Sequence, residues 1–242
     1  LLPHRAVVGG NPGIGRFAIH RFTDATCSSD LLISEPAAAV TGEQIADGGL
    51  VTWAILRNGN VATRDPASNI TERKSNLPNG ININGAHAPS SAIGVAVGDD
   101  RSVSPRIMKV FSIDSADGGY VDERIDLLPS MPSGSLHGVW AISSTSVFVV
   151  GDEGVVLEKT ASGWRRLPAP ENTTITSVRA FGAGRVYIVT ESGNVYFWDG
   201  TQWSKLATDP LGRALKKIDG TSESDLWVVG HGGAVLHWPE VP

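Results

Sequence analysis

Acidic and histidine side chains stand in several predicted turns, and they are the groups that could do chemistry. Asp152 and Glu153 follow one apolar run, Glu191 follows a second and His231 follows a third. Glycoside hydrolysis needs two opposed carboxyl groups, which a fold can bring together from distant turns. Exposed carboxylates in turns are also commonly only solvated, so the pattern leaves a carbohydrate-active enzyme as an alternative.

Two predicted turns are longer than the others, and they are candidate binding loops. One covers residues 10–16, and the other covers residues 99–106 and includes Asp99, Asp100 and Arg101. Extra loop length often accompanies a binding site, because loops on a rigid scaffold carry function. A tolerated surface insertion is the alternative.

A third candidate set comes from a sequence repeat of about forty residues, described below. Its members take the same position in successive copies, near the end of the first predicted strand. Its members are Ala46, His87, Trp140, Arg179 and Asp219. Because their chemistry varies, they are a possible lining for a central ligand site. Packing between differently shaped neighbours is the alternative, and the sequence favours it slightly.

Other signatures of catalysis or metal binding are missing. Cys27 is the only cysteine, and Ser133-Gly134-Ser135 precedes a predicted strand rather than a helix, so no activated nucleophile is indicated. The six histidines never have the spacing of a zinc pair. The segment 114–119 lacks the alternating carboxylates of a calcium loop. We therefore predict no catalytic residue, metal or cofactor, although enzymatic activity stays open.

Composition restricts the partners. Lys plus Arg is 20 and Asp plus Glu is 25, giving a net charge of -5 with no basic block, so nucleic acid is not expected. The longest apolar runs have the length of strands, so no membrane-spanning segment is predicted. The 28 Gly and 7 Trp are typical of secreted bacterial repeat proteins. This composition indicates an extracellular, periplasmic or cell-surface location. An alternative hypothesis is that the chain is one domain of a larger secreted or cell-surface protein.

The elements that would position these residues come from a repeat. The run Val149–Leu157 returns as Val228–Leu236, and residues 188–196 are a looser copy. Each copy has two apolar runs around a turn, as in a β-hairpin, and the copies recur about every forty residues. Six units fit a single domain over residues 1–242, approximately 1–38, 39–79, 80–133, 134–172, 173–212 and 213–242.

Each unit reads as four strands, of which the last is polar and ends near Leu-Pro, as in Trp164–Pro168. Charged residues and Pro suit an outer edge strand. The sequence therefore predicts an all-β fold, a β-propeller of about six four-stranded blades. The first unit starts at its second strand and the sixth ends at its third, so the closing blade is undecided.

The units resemble blades of a bacterial propeller group that includes sialidase-like, photosystem II assembly factor-like and WD-repeat-like proteins. The resemblance rests on Gly138–Ala141, Phe148–Gly154 and Trp198–Trp203, and residues 1–134 match only in outline. It implies a propeller fold, whereas such propellers serve as enzymes, assembly factors and adhesion modules alike.

The leading interpretation is a non-catalytic binding or assembly propeller that presents loops on one face to a protein or glycan partner. Its candidate binding residues are Asp99, Asp100, Arg101, Asp152, Glu153, Glu191, His231, His87, Trp140, Arg179 and Asp219. A sialidase-like hydrolase or lyase is the alternative, and it requires a central pocket with two buried carboxylates of shifted pKa. Recurring aromatic residues, Trp227 among them, are predicted to pack between blades, with a cost of roughly 3 to 5 kcal/mol for Trp227→Ala.

Overall fold

A computed structural model describes residues 6–13, 16–23, 26–33, 37–44, 50–64, 70–90, 93–113 and 119–238. Side chains are described for residues 55–61, 74–88, 94–113 and 119–238. Antiparallel strands dominate this part of the chain and form six sheets, each built from strands that are consecutive in sequence.

The strands of the first three sheets are as follows. The first sheet has β1 (Ala6–Gly13), β2 (Arg16–Thr23) and β3 (Thr26–Ile33); the second has β4 (Ala37–Gln44), β5 (Leu50–Leu56), β6 (Val61–Arg64) and β7 (Ile70–Arg73); the third has β8 (Ile81–Ser90), β9 (Ile93–Asp100), β10 (Ile107–Ile113) and β11 (Tyr120–Asp122).

The remaining sheets repeat this order. The fourth has β12 (Leu136–Ser143), β13 (Ser146–Gly151), β14 (Val156–Thr160) and β15 (Gly163–Arg166); the fifth has β16 (Ile175–Gly182), β17 (Arg185–Thr190), β18 (Asn194–Trp198) and β19 (Trp203–Thr208); the sixth has β20 (Leu215–Ser222), β21 (Asp225–Gly230) and β22 (Val235–Trp238). Short 3-10 helices cover Ile125–Leu127, Asp152–Gly154 and His231–Gly233.

The fold is all-β and has the arrangement of a β-propeller, as predicted, but the prediction of about six four-stranded blades is wrong. Within the described residues four sheets have four strands, whereas the first and sixth have three. The first strands of successive sheets, from β4 through β8, β12 and β16 to β20, lie against one another. This contact places equivalent parts of the sheets side by side.

The predicted long turn over residues 10–16 is also wrong. Strand β1 continues to Gly13, and β2 begins at Arg16, which pairs with Gly13. A register shift between Gly10 and Gly13 accommodates the extra residues, as glycine-rich segments in strands often do. The other predicted loop is present, because β9 ends at Asp100 and β10 begins at Ile107.

Packing between sheets buries both faces of the middle strands. In β13, Val147 and Val149 pack into the interface with the third sheet, and Phe148 and Val150 pack into the interface with the fifth. All four side chains are fully buried. Two-sided burial explains why β13 reads as a continuous apolar run rather than an alternating one.

The sixth sheet departs from this pattern on one face. Phe148, Tyr187 and Trp227 occupy equivalent positions in β13, β17 and β21, and their exposed fractions are 0%, 5% and 50%. The neighbouring Val229 and Val235 are exposed as well. The prediction that Trp227 packs between blades is therefore wrong. Within the described residues its ring stacks on His237 of the adjacent strand, and no described sheet covers this face.

Small residues allow the first strands to approach closely. A Cβ atom at Gly85 would lie 2.6 Å from the carbonyl oxygen of His137, and one at Gly138 would lie 3.1 Å from the Cα atom of Ser177. Ser177 itself takes the equivalent position in β16, whereas Lys217 takes it in β20.

Equivalent aromatic residues with different burial give a stability test. Phe148→Ala should lower the free energy of unfolding by about 3 to 5 kcal/mol, because it leaves a cavity between two sheets. Trp227→Ala should lower it by about 1 kcal/mol or less, because half of the ring is already in water. Urea unfolding followed by circular dichroism checks both variants. Equal losses of stability would contradict the described packing.

Candidate functional site

Turns between the second and third strands meet at one end of the sheets, which we call the turn face. The backbone N–H of a residue in each turn donates to a carbonyl just before the first strand of the same sheet. These bonds are Arg101 to Gly80 (2.8 Å), Asp152 to Ser135 (3.0 Å), Glu191 to Thr174 (3.0 Å) and His231 to Ala214 (2.8 Å). The equivalence of the bonds puts six predicted residues at this face: Asp100, Arg101, Asp152, Glu153, Glu191 and His231.

Asp152 has internal partners on the turn face. Its carboxylate accepts hydrogen bonds from the Ser135 N–H (2.9 Å), His137 Nε2 (2.8 Å) and the Thr174 hydroxyl (3.1 Å). Burial acts to raise the pKa of Asp152, but these hydrogen bonds outweigh it and lower the pKa. Asp152 therefore connects the fourth sheet to the segment that enters the fifth.

Asp99 also serves an internal connection. Its side chain is 0% exposed and accepts hydrogen bonds from Arg101 Nε (2.6 Å) and Asn84 Nδ2 (2.9 Å). Asn84 Nδ2 also donates to the Leu136 carbonyl at 3.0 Å, which joins the third sheet to the fourth. Burial works to raise the pKa of Asp99, but the bonds from Arg101 and Asn84 lower it overall. A partner cannot reach this carboxylate directly.

Other predicted residues of the turn face remain accessible. Glu153 and His231 are exposed, and neither side chain has a hydrogen bond within the described part of the chain. Glu191 forms an exposed ion pair with Lys216 at 2.6 Å. Asp100 accepts hydrogen bonds from the backbone and hydroxyl of Ser102, which shapes the third-sheet loop.

A depression lies beside this loop on the turn face. Its volume is about 340 Å³, and it is lined by charged side chains and by apolar ones: Arg106, Asp126, Ile107, Met108, Met131 and Pro132. Leu127, next to Asp126, is 70% exposed. The depression therefore combines apolar surface with groups of both charges. Sequence analysis identified the loop but missed the depression, whose other wall comes from the segment that enters the fourth sheet.

Several residues that hold the turn face together were missed from the sequence. Glu171, in the segment entering the fifth sheet, accepts hydrogen bonds from Ser192, Asn194 and the Tyr196 hydroxyl. His137 reaches Asp152 within the fourth sheet, and Thr174 reaches it from the segment that enters the fifth. The bonds from Thr174 and Glu171 cross from one predicted unit to the next, so no spacing within a unit indicates them.

The four varying residues of the repeat form one stack, which we call the central column: His87, Trp140, Arg179 and Asp219. The rings of His87 and Trp140 stack at 3.9 Å, and the Arg179 guanidinium lies 3.7 Å from the Trp140 ring centre. Arg179 Nε is 3.5 Å from Asp219 Oδ1. Ala46, which the sequence placed in the same set, lies outside the described residues.

Contacts within the central column connect four successive first strands. His87 Nδ1 accepts a hydrogen bond from the Ala141 N–H at 3.1 Å, and an Arg179 N–H donates to the Gly220 carbonyl. Burial lowers the pKa of Arg179, and the Asp219 charge opposes that effect. These contacts match the packing alternative for this position. Only Asp219, at the end of the stack, is largely exposed.

His87 is unsuited to proton transfer at neutral pH. Burial first, and then the charges of Arg179 and Lys217, lower its pKa to about 4. A general acid or base works best when its pKa is near the working pH. The neutral ring instead serves as the acceptor for Ala141.

The buried carboxylates of the described residues are all paired with arginine. Asp99 pairs with Arg101, Glu158 with Arg165 and Asp209 with Arg213, which lie in or next to the third, fourth and fifth sheets. The depression beside the third-sheet loop is lined by one carboxylate, Asp126, and so does not provide the two opposed carboxyls that the carbohydrate-active alternative requires. The described residues also contain no group of three metal-binding side chains. No described helix is long and apolar enough to cross a membrane.

Comparison with solved structures identifies similar folds. YCF48 bound to D1 peptide superposes with a TM-score of 0.69 at 14% identity, covering 96% of this chain and 74% of that one. YCF48 from Cyanidioschyzon merolae gives a TM-score of 0.69 at 14% identity, covering 96% and 79%. A streptogramin B lyase structure gives 0.61 at 12% identity, covering 99% and 83%.

These neighbours are β-propellers, and at such low identity the likeness shows the fold alone. No protein-family model matches the sequence, and no curated protein matches it either. The function must therefore be argued from the described surfaces.

The lowered pKa of His87 predicts a pH dependence of stability. Between about pH 4 and pH 6.5 the unfolded state binds the proton that the folded state excludes, so stability falls as pH falls through this range. The loss attributable to His87 should approach about 3 kcal/mol.

His87→Asn keeps an acceptor near the Nδ1 position and removes the titration. Urea unfolding at pH 4.5 and pH 7 should show a smaller difference in stability for His87→Asn than for the parent, while His231→Asn, at an exposed site, should behave like the parent. An unchanged pH dependence in His87→Asn would contradict the assigned burial.

Proposed function

We propose that this chain is a non-catalytic binding propeller that presents its turn face to a protein partner. The observation that carries the proposal is the exposed third-sheet loop, residues 101–106, beside the depression of about 340 Å³. Hydrogen bonds to the carboxylates of Asp99 and Asp152 anchor the two sides of this region. A binding surface on a fixed scaffold loses little conformational entropy when a partner binds.

The composition of the depression favours a protein segment as its ligand. Ile107 and Met131 offer apolar surface, and Leu127, which follows the lining residue Asp126 in the chain, is exposed. Arg106 is exposed and has no ion pair within the described residues, whereas Asp126 faces Lys109 at 3.5 Å. A segment with an apolar side chain next to an acidic one would satisfy both the apolar surface and Arg106.

The fold comparison supports the same class of partner. YCF48, a propeller of similar fold, has been solved with a bound D1 peptide. The D1 peptide is a ligand of YCF48. At 14% identity, no residue of the YCF48 peptide site is assigned to this chain. The likeness supports a propeller whose task is to hold a polypeptide.

A peptide-library selection on the immobilised protein tests the proposal. Peptides should be enriched, and Arg106→Glu should weaken their binding at least about tenfold by placing a like charge against an acidic ligand. Arg185→Glu, the same charge change at the opposite end of the fifth sheet, should change binding less than about threefold, because its ion pair with Glu223 is exposed. Calorimetric titration gives both affinities.

Two results would overturn this function. One is that no peptide binds saturably, and the other is that Arg185→Glu abolishes binding while Arg106→Glu leaves it intact. Saturable binding of a glycan that depends on Arg106 would replace the protein partner with a carbohydrate.

A further inference from the structure

The sequence contains three Asn-Gly dipeptides: Asn58-Gly59, Asn79-Gly80 and Asn84-Gly85. An Asn-Gly dipeptide can react within itself in water, because glycine has no side chain to shield its amide nitrogen. The nitrogen loses its proton and bonds to the asparagine Cγ atom, while the bond from Cγ to Nδ2 breaks and Nδ2 leaves with a proton as ammonia. Water then opens the resulting succinimide at either carbonyl, which gives aspartate or isoaspartate.

This reaction depends on local structure. The peptide group between the asparagine and the glycine must turn toward the side chain before the nitrogen can reach Cγ. Hydrogen bonds that fix this peptide group or the carboxamide therefore slow the reaction, since they must first be broken by local opening. The three dipeptides of this chain differ in these bonds.

Asn84 is fixed through both atoms of its carboxamide. Its Oδ1 accepts a hydrogen bond from Asn82 Nδ2 at 2.6 Å, and its Nδ2 donates to Asp99 Oδ1 at 2.9 Å and to the Leu136 carbonyl at 3.0 Å. Asn84 and Gly85 both lie in strand β8. The carboxamide is therefore not available to the backbone.

Asn58 is fixed in the turn between β5 and β6. Its Oδ1 accepts a hydrogen bond from the Asn60 N–H at 2.9 Å. The Gly59 N–H, which would have to attack, donates to the Leu56 carbonyl at 2.9 Å, and Gly59 is buried. Both reacting groups of this dipeptide are therefore held in place.

Asn79 and Gly80 lie in an exposed turn just before β8. The turn is closed by the bond from the Ile81 N–H to the Pro78 carbonyl, which is long at 3.4 Å. Within the described residues neither the Asn79 side chain, nor the Asn79 carbonyl, nor the Gly80 N–H has a hydrogen bond. This peptide group can therefore turn toward the carboxamide without losing a bond.

Gly80 also anchors the third-sheet loop. Its carbonyl accepts the 2.8 Å hydrogen bond from the Arg101 N–H, and a Cβ atom at Gly80 would lie 2.7 Å from the Cβ atom of Ser102. Isoaspartate directs the main chain through Cβ and Cγ, so the backbone gains a methylene group and a free carboxylate just before Gly80. A longer backbone at this point moves the Gly80 carbonyl away from Arg101.

We propose that Asn79 is a site of spontaneous conversion to isoaspartate, and that this conversion releases the third-sheet loop from Gly80. Asn58 and Asn84 are protected by their hydrogen bonds. The modification alters the same loop that the proposed function assigns to a partner. It rests on the chemistry of the turn alone and does not depend on that function.

Incubation of the folded protein at pH 8, followed by peptide mass spectrometry, tests the site. Tryptic peptides 58–64 and 75–101 carry the three asparagines, and fragmentation separates Asn79 from Asn84. Asn79 should convert at least about tenfold faster than Asn58 and Asn84, because the other two require local opening. In urea the three rates should become similar. Asn79→Gln should remove the fast reaction, since its longer side chain does not form a succinimide.

Equal rates for the three asparagines in the folded protein would overturn the assigned site. Faster conversion of Asn79 in urea, by the same factor as in the folded protein, would also overturn it, because the preference would then come from the neighbouring sequence rather than from the turn.

Hydrogen exchange tests the release of the loop. The Arg101 amide should exchange at least about tenfold faster in converted protein than in fresh protein, whereas the Asp152 amide, which makes the equivalent bond to Ser135, should be unchanged. Freshly purified Asn79→Asp adds the charge without lengthening the backbone and should keep Arg101 protected. Unchanged exchange at Arg101 after conversion, or an equal effect of Asn79→Asp, would overturn the proposed release.

Discussion

Face-to-face burial between neighbouring sheets is the interaction on which the rest of the structure depends. In the fourth and fifth sheets both faces of the second strand are covered, and Phe148 and Tyr187 pack against the following sheet. Burying a large aromatic side chain is worth several kcal/mol, comparable with a sizeable part of a domain's stability. The sixth sheet has an aromatic residue, Trp227, at the same position, but no described sheet packs on it and it is half exposed.

Sheet packing also determines where the functional groups lie. Because the first strands approach closely at Gly85 and Gly138, equivalent turns are held at one end of the sheets. Partly buried hydrogen bonds then connect neighbouring sheets across that end, as the bond from Thr174 to Asp152 does. The central column performs a similar task between the first strands, with neutral His87 and charged Arg179 on either side of Trp140. Exposed side chains of the turn face are therefore supported by a rigid framework.

The sequence predicted the local structure well and the surroundings of each residue poorly. Apolar runs around glycine-containing turns correctly indicated hairpins from the fourth sheet to the sixth, because a strand buried on both faces has to be apolar throughout. The same pattern gave a wrong prediction of burial for Trp227, since a repeat motif does not show whether a neighbouring sheet covers the residue. The segment that contains Gly10 and Gly13 suggested a loop, but both residues belong to strand β1, which has a register shift between them.

For the candidate site residues, too, the sequence predicted the position in the fold but not the exposure. Spacing along the repeat placed Glu153, Glu191 and His231 in equivalent turns, where the structure has them. It could not separate these accessible groups from Asp99, because burial of that carboxylate depends on Asn84, fifteen residues earlier in the chain. The polar segment Trp164–Pro168 was recognised from the sequence as an outer strand, whereas the sheet order was needed to show that the sixth sheet has three strands within the described residues.

The central claim is that, within the described residues, two-sided sheet packing ends at the outer face of the sixth sheet. Amide hydrogen exchange of the free protein tests it most directly, because exchange reports the local free energy of opening. The backbone amides of Val149 and Val189, in strands covered on both faces, should exchange at least about 100-fold more slowly than that of Val229. Protection of Val229 equal to that of Val149 and Val189 would contradict the claim, since it would mean that the outer face of the sixth sheet is covered.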